Sequence, residues 1–569
     1  MNWLRGPVRV AGLGLLMVLA LLPMTPWIAS AIDRGPGGSA RLSAFPIALA
    51  LFDPFILECS LHSVIVALLV AAGSMILGGG LAHLSGPRSF WGRAPLAILA
   101  RSPLASGPLL IAPGVFLLMG GPEGWEWLAA RSILGWSAED VARWSALVWV
   151  GLAWGSPIVA SMVESAYPHI EPSWIESARA AGASPARAWR DVAWPILRPE
   201  AARGAGLVFT LALVEPAGPI LLGLRRTLAV AILGAAHRLD QPTRAATLAV
   251  LGLLIAVAGR WLILRWGGPS YPRPGFGREV SPTPAGRLRS LASILLLGAW
   301  SAISAGPVLT LLWHLAGTTR AGLIGSWSGL LIGWLADPEI RGFATNAASA
   351  GLFAIALDLL ILRAISFGDR GFLNSAARRL VDVFEVVPPL SLAVGAMALP
   401  WLLGVLADQS GESVGPRIRA IARELSPARW PGFLLIAALA AGRLPTLVRA
   451  ADRAIDRSRP VLADAALLMG ASKRRARRAG QNRWLGIVPA RPMILSIALA
   501  STALAPALLL APGTERRTLA PAVLMSLGES GQLSPEWLGP IAAILLINLV
   551  GFGLASGGRS GLLGGWFRG

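Results

Sequence analysis

The stretch Glu176-Ser177-Ala178-Arg179-Ala180-Ala181-Gly182-Ala183-Ser184 returns later in the chain as Asp464-Ala465-Ala466-Leu467-Leu468-Met469-Gly470-Ala471-Ser472. Each copy has an acidic residue, a small pair, a glycine six positions after the acid, and then Ala-Ser. The separation is 464 − 176 = 288 residues, about half of the 569. An internal period of that length means that one structural unit is used twice. Both copies lie between apolar stretches on arginine-rich loops. A polar element repeated between membrane spans reads as a docking surface presented twice to something outside the bilayer.

Composition sets the class. The chain is 54% hydrophobic and 14% charged, with a mean hydropathy of +0.63. A soluble protein of this size carries a far more charged surface. Apolar runs of a length that crosses a bilayer recur throughout, so the chain reads as an all-α polytopic membrane protein. Its formal charge of +20 could suggest nucleic acid as a partner. The arginines, however, sit mainly between spans on alternate sides, the pattern that orients membrane helices, so the lipid bilayer is the expected partner and no nucleic acid is. The single cysteine, Cys59, excludes an internal disulfide and a CxxC site. The 23 tryptophans suit interfacial belts.

About twelve spans are expected, near 8–30, 59–84, 95–120, 143–166, 201–224 and 243–266, then 290–315, 342–365, 383–406, 431–450, 490–512 and 538–557. They divide the chain into a first half (1–266), a proline- and arginine-rich linker (267–289) and a second half (290–569). Arg5 and Arg9 before an apolar run, with Ala29-Ser30-Ala31 behind it, resemble a signal peptide. An equivalent segment beginning near Leu291 favours a retained first span. An even number of spans puts both termini on one side, together with the loops around 85–94, 167–200, 267–289, 366–382 and 451–489. These carry much of the arginine, so that side is expected to be cytoplasmic, in an inner (plasma) membrane.

The first copy continues to Val192-Ala193-Trp194-Pro195. Acid, small pair, glycine, nine residues, aliphatic, two spacers and proline closely resemble the EAA loop of permease subunits from binding-protein-dependent ABC importers. Ser177 replaces that motif's first alanine and Trp194 its leucine, with the spacing kept. Gly182 suits the left-handed residue that ends a helix, and Ser184 and Pro185 suit the cap and first turn of the next. The second copy departs from the pattern. Asp464 replaces glutamate, Ala465, Ala466 and Gly470 match, Arg483 holds the proline position, and Ile487-Val488-Pro489 comes six residues late. Lys473-Arg474-Arg475-Ala476-Arg477-Arg478 lies between, a run that suits a solvated face, anionic lipid or an acidic partner.

Smaller matches extend the resemblance: His62-Ser63 and Asn346-Ala347, Trp154-Gly155-Ser156-Pro157 and Gly442-Arg443-Leu444-Pro445, Glu215-Pro216-Ala217-Gly218, and Ala511-Pro512-Gly513-Thr514-Glu515. The last is similar to a segment of fused ferric-iron-type permeases. The resemblance implies a type I ABC importer permease fold of two repeated six-helix halves. Its implied ATPase-docking residues are Glu176, Ala178, Gly182 and Pro195, then Asp464, Ala465, Ala466 and Gly470. It also implies two cytoplasmic ABC ATPase subunits, an external substrate-binding protein, and ferric iron as cargo, with thiamine, a polyamine or an oxyanion behind.

Lys473 is the only lysine, and no GxxxxGK[ST] loop exists. The chain is therefore expected not to be an enzyme and to need no cofactor of its own, ATP being used by a partner subunit. The five histidines have no metal-binding spacing, and GxSxG and HExxH are absent. Within the apolar spans Glu215, Asp358 and Arg260 stand out, since charge in a membrane faces a cavity or a partner. Glu215 beside the helix-breaking Pro216 is the expected substrate-path site, and Asp358 with Arg363 reads as an interfacial pair. The alternatives are a secondary transporter of two repeated helical halves, which gives no reason for two such loops, and a polytopic membrane enzyme.

Overall fold

The computed structural model describes residues 5–34, 40–43, 45–85, 88–121, 124, 127–128, 131–133, 136–167, 170–237, 242–269, 283–284, 286–317, 337–366, 372–410, 414–426, 431–457, 465–472, 475–476, 503–511, 517–530, 541, 544 and 548. Apart from three ladders of two or three residue pairs, its elements are helices. Those that position the candidate sites are α1 (Arg5–Leu21), α2 (Pro54–Ser85), α3 (Arg93–Arg101), α4 (Pro103–Leu118), α5 (Ala138–Ala166), α6 (Pro172–Ala180), α7 (Trp194–Leu213), α8 (Pro242–Gly267), α9 (Arg287–Gly317), α10 (Pro338–Ser366), α11 (Phe372–Val386), α12 (Pro389–Gln409) and α13 (Pro431–Arg457).

Among the described residues eight helical segments are long and apolar enough to cross a membrane: Val10–Ser30, Pro54–Leu84, Ala138–Glu164, Pro242–Gly267, Arg287–His314, Pro338–Ile365, Pro389–Gln409 and Gly432–Arg449. They coincide with eight of the twelve expected spans; two of the other four, and one boundary among the eight, differ for identifiable reasons. The expected span 95–120 is two helices meeting at 89°, because Gly107 takes a left-handed φ of 64° that interrupts the helix. The expected span 201–224 is α7, which starts earlier and stops at Leu213. Val214 leaves helical geometry, and Pro216 has no N–H with which to continue it. The expected span at 383 starts instead at Pro389, since Pro388 is extended and separates α11 from α12. Of the last two spans, 490–512 and 538–557, most residues lie outside those described, as do positions 270–282 of the expected linker.

Helix α2 shows why these segments need an apolar solvent. Leu61, Ile65, Leu68, Leu69 and Ile76 are exposed along one stripe, while Val66, Ala67, Val70 and Ala71 on another face are buried. Leucine and isoleucine on the outward stripe suit lipid. The inward face meets α5 at glycines. A Cβ on Gly151 would stand 2.5 Å from Val70, one on Gly155 2.5 Å from the Ser74 hydroxyl, and one on Gly78 2.4 Å from the Ser156 carbonyl. Small residues let two backbones approach and gain dispersion contacts that lipid cannot supply.

The N- and C-terminal groups of helices exchange arms. Helix α1 packs along α10, and α9 packs along α3 and α4. Both contacts are close: Gly12 lies against Leu360 and Ala364, and Gly114 against the Pro307 carbonyl. Polar anchors fix the second crossing, with the Ser301 hydroxyl donating to the Leu96 carbonyl at 2.9 Å and the Trp149 indole donating to the Ile303 carbonyl at 3.0 Å. One continuous hydrophobic core includes residues from Leu16 to Ile544.

Candidate functional site: two matching turns and a half-buried carboxylate

The first repeated stretch is a helix–turn–helix knob. After α6, Gly182 adopts φ +87°. Its N–H donates to the Arg179 carbonyl at 3.0 Å, and the Ala183 N–H to the Ala178 carbonyl at 3.0 Å. That pair of bonds satisfies carbonyls left open at a helix end and needs a left-handed residue at the glycine position. The Ser184 hydroxyl then accepts from the Arg187 N–H at 3.3 Å and caps Pro185–Ala188. The chain passes through a π-helical turn, Trp189–Ala193, into α7, whose first turn holds Pro195.

The knob is braced from behind. Ala188 and Ala193 are buried, and Trp189 stacks on Trp194 and meets His83 edge-on. His83 Nδ1 lies 3.1 Å from the Tyr167 hydroxyl. In front, Glu176, Arg179, Gly182, Ala183, Ser184 and Pro185 line a shallow surface hollow. Glu176 and Gly182 are exposed and Ala178 is half-buried.

The second stretch repeats these bonds at the same offset of 288. Gly470 has φ +80°. Its N–H donates to the Leu467 carbonyl at 3.0 Å, and the Ala471 N–H to the Ala466 carbonyl at 2.9 Å. Ser472 accepts from the Arg475 N–H at 3.4 Å, and Ala476 is buried as Ala188 is. Ala465 and Ala466 lie on the incoming helical turn, half-buried. Asp464, Arg483 and Pro489 lie outside the described residues. The backbone is shared and the presented side chains are not: Arg179, Ala180 and Ala181 correspond to Leu467, Leu468 and Met469.

Ion pairs lie toward the end of the bundle that holds the first knob. Arg101 of α3 pairs with Glu164 of α5. In the second set of helices Glu385 of α11 pairs with Arg449 of α13 at 2.7 Å. The same kind of tie is made with the charges reversed. Glu385 also pairs with Arg260 of α8, whose guanidinium donates to the Glu385 carbonyl at 3.2 Å. Arg260, expected to face a cavity or a partner, thus has one. The expected interfacial placement of Asp358 is corrected: it is fully buried, and neither of its carboxylate oxygens makes a hydrogen bond among the described residues.

Glu215 lies toward the opposite end of α7. It sits at the break between α7 and the short helix Ala217–Leu221, accepting from the Ala217 N–H at 3.1 Å. With Ser63, Trp154, Thr227 and the aliphatic side chains of Val66, Val70, Leu147 and Val150 it lines a cavity of about 30 Å³, room for about one water. Pro216 is buried beside it. The loop carrying Thr227 is tied to α2: the Ser63 hydroxyl accepts from the Leu228 N–H at 2.8 Å, and Glu58 pairs with Arg226 at 2.7 Å. Asn346 of α10 makes a corresponding contact, donating to the Arg517 carbonyl at 3.1 Å. Among the described residues no group of three or more His, Cys, Asp or Glu could hold a metal ion.

The N-terminal set of helices thus combines a lipid-facing bundle, a braced knob at one end and a half-buried carboxylate beside a cavity toward the other. No curated protein matches the chain. Residues 42–264 match the family model described as binding-protein-dependent transport system inner membrane component. This stretch includes the first knob, the Glu215 cavity and the helices α2 to α7 that carry them. Over residues 42–264 the chain is therefore similar to inner-membrane components of that kind, and several of its described helices are long and apolar enough to cross a membrane.

Proposed function

We propose that the whole chain is a fused permease, with residues 1–266 and 290–569 forming two six-helix halves of one importer. The observation that carries this reading is the second turn. Its glycine, its two helix-ending hydrogen bonds and its serine cap recur 288 residues after the first. The reciprocal packing of α1 on α10 and of α9 on α3 and α4 supports the same division.

Each knob docks one cytoplasmic ATPase subunit, so the termini lie on the cytoplasmic side. Closure of the ATPase pair moves the knobs and exchanges inward- and outward-open states. ATP is bound and hydrolysed by those subunits, since this chain has no phosphate-binding loop. The substrate arrives from an external binding protein and passes near Glu215, the carboxylate at the α7 break, whose polar neighbours are Ser63 and Thr227. Ferric iron is the first cargo to test, by resemblance, followed by thiamine, polyamines and oxyanions.

The deciding experiment purifies the chain together with the products of neighbouring genes and asks whether an ATPase is retained. A retained ATPase whose turnover rises with the loaded binding protein supports the reading. Transport by the chain alone, driven by an ion gradient, refutes it. Binding assays on the external protein then identify the cargo.

A further inference from the structure

The two knobs share a backbone and differ in what they present. At the tip of the first stand Arg179, Ala180 and Ala181, with Glu176 beside them. At the tip of the second stand Leu467, Leu468 and Met469, of which Leu468 is 90% and Met469 88% exposed. Side chains of that size leave water at a gain, and two of them project from one turn. No acidic residue occurs from Ala465 to Gln481, while Lys473, Arg474, Arg475, Arg477 and Arg478 follow the turn directly. Of these Arg475 is exposed on the helical turn that follows, so a surface complementary to the tip is apolar with negative charge beside it.

We propose that the second knob is an apolar anchor: Leu468 and Met469 insert into a hydrophobic pocket of the ATPase subunit, and a carboxylate beside that pocket meets Arg475. The proposal rests on the docking reading above. It adds that the two contacts are chemically unlike, the first polar and small, the second apolar with a basic flank. Anionic lipid is the competing occupant, because it too offers an apolar interior and negative charge. The ATPase is favoured because the bonds that shape this turn match those of the first knob, whose exposed tip carries both charge signs and no large apolar side chain.

The only native cysteine, Cys59, is buried, so an introduced thiol can be read against a quiet background. Met469→Cys and, separately, Arg179→Cys are placed in the full chain, reconstituted with and without the ATPase in neutral and in anionic lipid nanodiscs. Labelling by a membrane-impermeant maleimide is then timed. The expected result is at least about tenfold slower labelling at both positions when the ATPase is bound, in either lipid. Protection of position 179 but not 469 overturns the anchor and leaves the docking reading standing. Protection of neither overturns both. Protection of 469 by anionic lipid without ATPase assigns the knob to the membrane and also overturns the anchor.

A second variant tests the chemistry. Leu468→Ala with Met469→Ala removes side chains exposed in the free chain, so its own fold is little affected. ATPase affinity is expected to fall roughly tenfold or more. Unchanged affinity overturns the proposal even if position 469 is protected.

Discussion

Gly182 and Gly470 hold the same left-handed backbone, φ +87° and +80°, at the same place in the same hydrogen-bonded helix ending. Among the described residues nothing lies within 4 Å of where a Cβ would stand on either. A substitution there therefore acts through backbone strain alone, about 1–2 kcal/mol for a residue with a Cβ. Gly182→Val and Gly470→Val are expected to displace the helix that follows and to lower co-purification of the ATPase. Gly182→Asn, which tolerates this conformation better, should do so less. The readout is ATPase retained per inserted chain. Equal retention by all three variants would refute a docking role for the turns.

Much of this was legible in the sequence, but unevenly. The glycine, the serine cap and the spacing to Pro195 forecast the first knob because each answers a local backbone requirement. Spans made of uninterrupted apolar residues were equally plain. The bend at Gly107 and the stop at Leu213 were not, since glycine and proline are common inside membrane helices and only packing decides which of them breaks one. The ion pairs were hidden for another reason. Arg101 with Glu164 and Glu385 with Arg449 make comparable ties with opposite charge order, so comparing residue types between the two stretches conceals them. Asp358 was flagged as costly, yet its complete burial, with no hydrogen bond to either carboxylate oxygen among the described residues, is set by packing between helices that residue types alone do not show.

Glu385 holds two arginines from different helices, Arg260 with an 8% exposed side chain and Arg449 with 34%. Removing the shared carboxylate leaves both guanidinium groups without it. Glu385→Ala is expected to destabilise the chain by about 3 kcal/mol or more. Arg260→Leu should cost less than Glu385→Ala, and Arg449→Leu least, because the more exposed charge is better solvated. Thermal unfolding in detergent checks the order. A larger effect from Arg449 than from Glu385 would contradict it.

The α4–α9 crossing gives a steric test. A Cβ on Gly114 would stand 1.9 Å from the Pro307 carbonyl oxygen, a backbone atom that cannot swing aside. Gly114→Ala is expected to force the two helices apart and to cost about 1–3 kcal/mol. Gly306→Ala, on the same helix as Pro307 but with nothing within 4 Å of its Cβ, should leave stability within about 0.5 kcal/mol. The melting temperatures of the two variants, compared in one detergent, separate the cases.

The single chain is expected to hydrolyse no ATP, because its one lysine, Lys473, lies outside any phosphate-binding loop. Turnover should appear when the ATPase is added and scale with its amount. Hydrolysis by the chain purified away from other proteins, and abolished by changing a residue of this chain, would overturn that assignment.

Glu215 tests the route. It sits at the break after α7, away from the knob that α6 and Pro185–Ala188 form, and its carboxylate accepts from the Ala217 N–H. Glu215→Gln keeps an acceptor for that N–H and removes only the charge. Glu215→Ala removes both. If the carboxylate serves the cargo, both variants should lose most of their substrate uptake while retaining the ATPase at wild-type levels. If it serves only to hold the break, Glu215→Gln should transport normally and Glu215→Ala should lose thermal stability instead. Uptake into proteoliposomes, measured beside ATPase retention and melting temperature on the same preparations, distinguishes the two. Normal uptake by both variants would take Glu215 out of the path.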